Sequence, residues 1–470
     1  MDKRVVAAFL CFSGCSVGPS IQIPEMHLEG EYASVSSCEE GCFEEKGDLE
    51  DLKDWWRHFS DPRLDELIAL AKEQNPNILV ASARIDEARG VYRRISGELW
   101  PSIDLRASAI RSGFSRNITE AELLGLSEQS QFYLGFDAVW ELDFFGRLSG
   151  RKEAAIYAVF GEEEAFRNVL LIVYAEVAKT YVEICALEQD LQVLREIVET
   201  AQQILYLQEA AYEAGLLDRQ QVEEIETILQ EQKALVVQRS VALQEFHHRL
   251  AALIGEFPNS ASSAFSGLKT IPKAPRLVQV GIPSDLLRRR PDIREAEYKI
   301  ALATRLLGSA IAELFPSFSL TADWGLRSNR LSRWFQSESD SWNIGPSFIT
   351  PIFRFGRILG LIDEQEGALD VAMNTYKNKV LLAVEDSENA LTVYCNAIRL
   401  QALRQKAFQA KETEASLQHE LFISGLAPWI EYLQTHFASL ERKRELIAAE
   451  RAESVNLIAL YKALGGGWSC

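Results

Sequence analysis

The stretch that decides the fold runs from Gly281 to Asn329: GIPSDLLRRRPDIREAEYKIALATRLLGSAIAELFPSFSLTADWGLRSN. Between Arg294 and Ile311 there is no Pro, and Ala, Leu and Arg dominate, which predicts a helix. At Pro316 the period changes. Phe318, Leu320, Ala322, Trp324 and Leu326 are apolar, whereas Ser317, Ser319, Thr321 and Asp323 between them are polar. A period of two predicts a strand with one apolar and one polar face.

The pattern occurs twice. Leu99-Trp100-Pro101-Ser102-Ile103-Asp104-Leu105 parallels Leu314-Phe315-Pro316-Ser317-Phe318-Ser319-Leu320, an offset of 215 residues that Pro76 and Pro291 share. Phe145-Gly146-Arg147 parallels Phe355-Gly356-Arg357 at an offset of 210, which Gly215/Gly425 and Gly255/Gly465 keep. Landmarks sharing two offsets predict a tandem duplication. The expected organisation is a signal peptide over 1–14, a lipid-anchored tail over 15–60, a first repeat over 61–257, a linker over 258–283 and a second repeat over 284–470.

Within the first repeat, Asp61-Pro62 reads as N-cap and first helical residue, and Asn75-Pro76 breaks that helix before the next one, Asn77 to Gly97. A strand pair follows at about 101–143: Ile103, Leu105, Ala107 and Ala109 alternate on the way out, and Phe132, Leu134, Phe136, Ala138, Trp140 and Leu142 on the return. From 146 to 255 there is no Pro, and apolar residues recur near heptad spacing at Val177, Tyr181, Ile184, Leu187, Leu191, Leu194 and Val198. Two antiparallel helices sharing that span would each be roughly 60–80 Å long. The polar run Glu188-Gln189-Asp190 suggests the reversal lies near Ala186 to Asp190, with a second irregularity at Gly215. The second repeat follows suit. It has a strand pair at about 316–353, with Trp342, Ile344, Phe348 and Ile352 on one face. A helical pair over 357–464 follows, with Tyr394 to Arg399 in the place of the reversal. Glu188, Asp190, Asn396 and Arg399 are therefore candidates for a tip or gate region. Pro346 and Pro351 are awkward for a central strand.

Four strands per chain cannot close on themselves. If their apolar faces meet hydrocarbon, every edge must be paired, and the smallest spanning barrels have about eight strands. Three chains would supply twelve, in a cyclic assembly whose polar faces line a wet lumen.

The formal charge is −19, from 49 basic and 68 acidic residues, with no basic patch of the kind nucleic acid requires. No apolar run is long enough for a transmembrane helix, which leaves a barrel open. Lys3 and Arg4, then Val5 to Phe12, read as a short signal, and Phe12-Ser13-Gly14 before Cys15 suggests lipoprotein processing with Cys15 as the acylated N-terminus. Cys38 and Cys42 stand in an acidic segment as a local disulfide, a metal contact or a solvated tail. No catalytic constellation stands out. His247 and His248 are adjacent, so on a helix they point about 100° apart and cannot chelate as an i, i+4 pair would. Glu223-Glu224 reads as a solvated helix face. No cofactor and no metal site is expected.

At these residues the sequence resembles the TolC-like outer-membrane efflux protein family, in the lipoprotein branch serving resistance-nodulation-division (RND) pumps. The most specific pieces are Ile282-Pro283-Ser284-Asp285-Leu286-Leu287-Arg288-Arg289-Arg290-Pro291-Asp292-Ile293-Arg294 and the Phe315-Pro316-Ser317 turn into the strand. Cys15-Ser-Val17-Gly18-Pro19 looks like the start of mature members, and Trp55-Trp56…Phe59…Asp61-Pro62 like their first helix. Gly215-Leu216 and Gly425-Leu426 match the family's recurring Gly near the belt of the helical tube. The resemblance implies a mixed α and β homotrimer, with a twelve-stranded outer-membrane β-barrel continuing into a periplasmic α-helical barrel. It also implies passive export from an inner-membrane RND-type pump through a periplasmic adaptor protein, and no enzyme. The channel of a one-step protein secretion system and a non-channel structural envelope lipoprotein are the other readings. The acidic segment around Cys38 and Cys42 departs from the family's pattern.

Overall fold

The computed structural model describes residues 17–26, 32, 43–44, 54–113, 128–258, 270–273, 278–279, 286–287 and 289–466. The expected signal, Cys15, Cys38, Cys42 and most of the linker lie outside them. The named helices are α1 (Pro62–Gln74), α2 (Pro76–Gly97), α3 (Arg147–Glu213), α4 (Arg219–Leu253), α5 (Pro291–Ala312), α6 (Arg357–Ile423) and α7 (Trp429–Ala463). Four strands, β1 (Ser102–Gly113), β2 (Glu128–Leu142), β3 (Ser317–Ser328) and β4 (Asp340–Ile349), form one antiparallel sheet in the order β1-β2-β3-β4. Phe43–Glu44 and Val278–Gln279 make a short parallel pair besides.

From α2 in the first half and α5 in the second, both halves run through the same element order with matched lengths: α3 and α6 have 67 residues each, α4 and α7 have 35. The sequence repeats are not the compact units, however. One unit comprises residues 1–25, 84–163 and 295–377, the other 26–83, 164–294 and 378–470, so each draws on both halves.

Asp61 acts as the expected start signal, accepting a hydrogen bond from the Arg63 amide at 2.9 Å with Pro62 behind it. Asn75, expected only to break the helix, also takes the Asn77 and Ile78 amides, and α2 begins at Pro76. The reversals fall elsewhere than expected. α3 passes through Ala186 to Asp190, and α6 through Tyr394 to Arg399, without interruption. Polar residues do not break a helix that carries no Gly or Pro there. The chain turns back at Gly215 and Gly425. Both have positive φ (74° and 72°) and close the same pair of bonds, Leu216 N to Ala211 O with Gly215 N to Tyr212 O, and Leu426 N to Leu421 O with Gly425 N to Phe422 O. This left-handed helix stop favours Gly. Gly255 and Gly465 end α4 and α7 in the same way. Each helical pair is consequently unequal, about 100 Å against about 50 Å at 1.5 Å per residue, and not two arms of equal length.

The near-heptad seam packs inward. Val177, Tyr181, Ile184, Leu187, Leu191 and Leu194 are buried, but at the last step Ile197 replaces Val198 as the buried residue, the drift expected when 3.6 residues per turn meets a 3.5 repeat. The core of the second unit gathers Trp55, Phe59, Leu64, Leu67, Ile184 and Tyr461 among others. Trp55 stacks on Tyr461 with centroids 5.4 Å apart, His58 Nδ1 lies 3.1 Å from the Tyr461 hydroxyl, and the Tyr181 hydroxyl donates to Asp61 Oδ2 at 2.7 Å. Burial pushes the Tyr181 and Tyr461 hydroxyls well above the usual phenol range, keeping them neutral donors. Cys185 in the same core is a free thiol that burial pushes up to about 12, a packing group and not a nucleophile. Cys395 is disulfide-bonded.

Candidate channel wall and its ion-paired frame

The sheet carries the alternation of its sequence onto two faces. One cross-strand row reads Leu105, Phe136, Trp324, Trp342, and the next Ile103, Ala138, Ala322, Ile344. These side chains are not covered: Leu105 is 64% and Trp342 72% exposed. A soluble sheet buries such a face. The opposite face aligns Asp104, Asp137, Asp323 and Asn343 in one row. Arg106 pairs with Asp137 at 4.0 Å, one exposed cation against the row's three carboxylates.

β2 and β3 come from different halves yet pair over eleven positions, with Gly135 opposite Gly325. A Cβ on Gly325 would fall 2.5 Å from the Gly135 Cα, so neither position accepts a side chain. The Tyr133 hydroxyl would meet a Cβ on Gly135 at 2.7 Å; the phenol packs into this gap and donates to Asp137 Oδ1 at 3.1 Å.

Strand β4 ends at Ile349, so Ile352 lies beyond it, after Pro351. Pro346 is accommodated because β4 is an edge strand. The other edge is β1. Within the described residues, both edges carry unpaired backbone groups along one side.

Aromatic rings collect at both ends of the sheet. Phe132, Trp334 and Phe335 pack together at the β3–β4 loop. At the other end Phe144 meets Phe318, and Phe145 stacks on Phe315 at 4.8 Å. There α3 is tied to the strand it follows. Arg147 donates to both oxygens of Glu141 at 2.7 Å, Asp143 caps the Ser149 amide at 2.6 Å, and Ser309 donates to the Arg147 carbonyl.

In the other unit, charged groups clamp helices together. Asp190 of α3 pairs with Arg444 of α7 at 2.8 Å and with Arg239 of α4 at 3.2 Å, beside a cavity of about 400 Å³. Glu183 pairs with Arg451 at 3.0 Å. Of the other candidate tip residues, Glu188 is half-buried and its carboxyl is pushed up by burial, Asn396 donates to the Thr392 carbonyl of its own helix, and Arg399 is exposed. None is near a tip. Asp190 precedes Gly215 by 25 residues, roughly 37 Å along the helix.

The arginines of the Arg289-Arg290-Pro291-Asp292-Ile293-Arg294 stretch, whose part in the fold sequence reading missed, are structural. Arg290 donates to Asp292 at 2.8 Å and to the Ala463 carbonyl at 3.1 Å, capping the C-terminal end of α7. Its stem packs against Gly465, where a Cβ would lie 2.9 Å away. Burial alone would raise the Asp292 carboxyl, but the Arg290 hydrogen bond and the charges of Arg290 and Lys379 outweigh it and hold the group below the usual range. Glu164, buried, lies between Arg167 at 2.5 Å and Arg294 at 3.2 Å.

Glu453 and Glu450 on α7 lack such compensation. Burial raises both carboxyls, Glu450 raises Glu453 further, and Lys273 only partly offsets the shift at Glu450. A folded-state value above the unfolded one means that the ionised form opposes folding at neutral pH, an effect that disappears as pH falls below the ordinary carboxylate value. Glu453→Gln is expected to raise the thermal midpoint at pH 7 by on the order of a degree or two and to leave it unchanged near pH 4; calorimetry at the two pH values checks this.

Among the described residues no helix is long and apolar enough to cross a membrane, and no group of His, Cys, Asp or Glu could hold a metal ion. The membrane-facing candidate is the sheet.

The model of the outer membrane efflux protein family matches residues 67–256 and 282–466. The chain belongs to that family. It is 28% identical over 472 residues to the solvent efflux pump outer membrane protein SrpC of Pseudomonas putida, covering 98% of this chain and 97% of that protein. To the cation efflux system protein CusC of Escherichia coli it is 27% identical over 463 residues, covering 98% and 97%. It superposes on the solved outer-membrane channel OprN with a TM-score of 0.85 and 26% identity, over 97% of this chain and 100% of that one. The fold is that of the TolC-like outer-membrane channels, mixed α and β. This outer-membrane efflux protein is a passive channel and not an enzyme: its residues supply a wall and a frame, and the chain acts in the outer membrane as part of an efflux system.

Proposed function

We propose that three copies close one twelve-stranded barrel, and that the complex is a lipid-anchored duct receiving substrates from an inner-membrane RND-type pump through a periplasmic adaptor. The observation that carries this reading is the pair of bare sheet edges. Strand directions alternate across β1-β2-β3-β4, so β4 of one copy runs antiparallel to β1 of the next, and a ring of sheets continues without a mismatched pair. Hydrocarbon requires such closure, and strands of 10 to 15 residues are long enough to span when tilted.

The anchor has separate support. The Val17 amide donates to the Phe145 carbonyl at 3.4 Å, and Gly18 lies against Gly308. Val17 follows the expected acylation site by two residues in the sequence. A gating role falls to Asp190 rather than to Glu188, Asn396 or Arg399, because only Asp190 joins three helices by ion pairs.

In this assembly the Asp104, Asp137 and Asp323 row faces the lumen, and a narrow acidic passage concentrates cations. Planar-bilayer recordings of the purified protein are expected to show cation preference, reduced about threefold or more when the three residues are changed together to Asn. Equal cation and anion permeability in the unaltered protein argues against an acidic lining. A detergent-free stable monomer overturns the barrel itself.

A further inference from the structure

We infer that α2 of one copy packs on α6 of the next, with Gly360 against the backbone at Gly90, and that the strands they adjoin pair with Ser347 opposite Ser108. The inference rests on the barrel reading above and adds the helix surface and the strand register by which one copy receives another.

The tandem repeat supplies the template. α5 follows α2 by 215 residues at both ends, and α6 follows α3 by 210. The hairpins keep the same offsets in space: Ser102 stands opposite Val139, and Ser317 opposite Ile349. The two halves therefore repeat in register as well as in sequence. Within one chain they meet at a seam, where β3 and α5 of the second half lie beside β2 and α3 of the first. Closing a ring creates another seam of the same kind, where β1 and α2 of one copy lie beside β4 and α6 of its neighbour. Each residue of the inner seam, shifted by its own offset, gives a residue of the outer one.

On the strands, Asp137 is opposite Asp323. Moving the first forward by 210 and the second back by 215 sets Ser347 opposite Ser108, and by the same step Phe348 opposite Ala107. This register keeps both faces continuous, since Phe348 and Ala107 belong to the apolar face and Ser347 and Ser108 to the polar one. A slip of one residue would set Phe348 against Arg106 or Ser108 and break both faces at once.

The helices stand in the row α2-α3-α5-α6. Arg89 of α2 pairs with Glu163 of α3 at 2.9 Å, Glu153 of α3 pairs with Arg305 of α5 at 2.9 Å, and α5 shares a cleft with α6 at Leu302, Leu306, Ala368 and Ala372. The row begins at α2 and ends at α6, as the sheet begins at β1 and ends at β4. In the inner seam α3 and α5 come close at Gly150, where a Cβ would lie 3.2 Å from the Arg305 carbonyl oxygen and 3.4 Å from the Ser309 Cβ. The repeat puts Gly360 in the place of Gly150 and Gly90 in the place of Arg305. A Cβ at either would meet nothing within 4 Å in the single chain. Glycine inside a helix weakens it, and a neighbouring backbone that approaches to contact accounts for both. Gly367 on the same helix is the contrast. It is equally open, but its counterpart Tyr157 carries a ring that stacks on Tyr298 with centroids 6.4 Å apart, so this level of the seam accepts a large side chain.

Crosslinking and thermal dissociation of the full-length protein in detergent test this. Ser108→Cys with Ser347→Cys in one chain, oxidised with copper phenanthroline, should give covalent trimers on a denaturing, non-reducing gel. The yield should exceed by about fivefold or more that of Ser108→Cys with Gly345→Cys, which is the same face slipped by two residues; the single variants measure the share of the native thiols. Gly360→Leu should lower the temperature at which the trimer dissociates by about 5 °C or more, whereas Gly367→Leu should leave it within about 2 °C. Both changes remove a glycine from the same helix, so the difference between them reads the neighbour. Equal yields from the two cysteine pairs, or a higher yield from the slipped one, overturn the register. Equal dissociation temperatures for the two leucine variants overturn the helix contact, and loss of the trimer in Gly360→Leu alone upholds it. If the cysteine variants fail to assemble, the leucine pair decides. An unaltered trimer that conducts while its variants fail both comparisons keeps the barrel and loses this seam, whereas an unaltered chain that forms no trimer removes the two together.

Discussion

A Phe136→Arg chain is expected to disappear from the outer-membrane fraction and from the assembled oligomer. Phe136 is in the middle of β2, between Leu105 and Trp324 on the apolar face, with its ring parallel to that of Trp324. A cation near the middle of a barrel's lipid face costs about 2–4 kcal/mol, and the proposed trimer would carry that cost three times over. The control is the same charge on the other face of the sheet. Ser319→Arg is on the polar face opposite Glu141, where the new guanidinium finds water. Flotation of membranes on a density gradient, followed by electrophoresis of unheated samples, compares the two. If both variants assemble equally, or both fail, the assignment of the faces is wrong.

Trp55→Ala is expected to be the most damaging truncation in the other unit. Trp55 is 1% exposed. It stacks on Tyr461, and both Trp56 and Phe59 present an edge to it. Emptying a site of that size costs about 3–5 kcal/mol, enough to release the segment ahead of α1 from α7. Leu216→Ala at the α3–α4 reversal, where the side chain is exposed, should stay within about 0.5 kcal/mol. Limited proteolysis across a urea series reads both, and equal protection of the two variants would refute the packing argument.

Features written in neighbouring residues were legible beforehand. The two-faced strands follow from alternation alone, because side chains on a strand change face at every step. The cap at Asp61 follows from a side chain that reaches the amide two residues on. The reversals were misplaced for an equally local reason. Glu188-Gln189-Asp190 is polar because Asp190 meets arginines from two other helices, and no short-range pattern distinguishes an interhelical ion pair from a loop. Gly215 carried the true signal, since only its positive φ lets the helix stop, and its counterpart Gly425 repeated it 210 residues later. The arginines before and after Pro291 were noticed as a motif, but their work depends on partners far away in the chain, the end of α7 for Arg290 and Glu164 for Arg294.

What this chain's residues determine by themselves is therefore the kit: four strands with one oily face, capped helices, and glycine stops repeated in both halves, each set by dihedral preference or by the period of hydrophobicity. Tertiary structure decided that β2 and β3 lie side by side across the two halves, that Gly135 meets Gly325, and that three aspartates align in one row. Those outcomes depend on which backbone edges find each other and in what register, and the energy that selects them is shared among residues too distant in sequence for any local pattern to record.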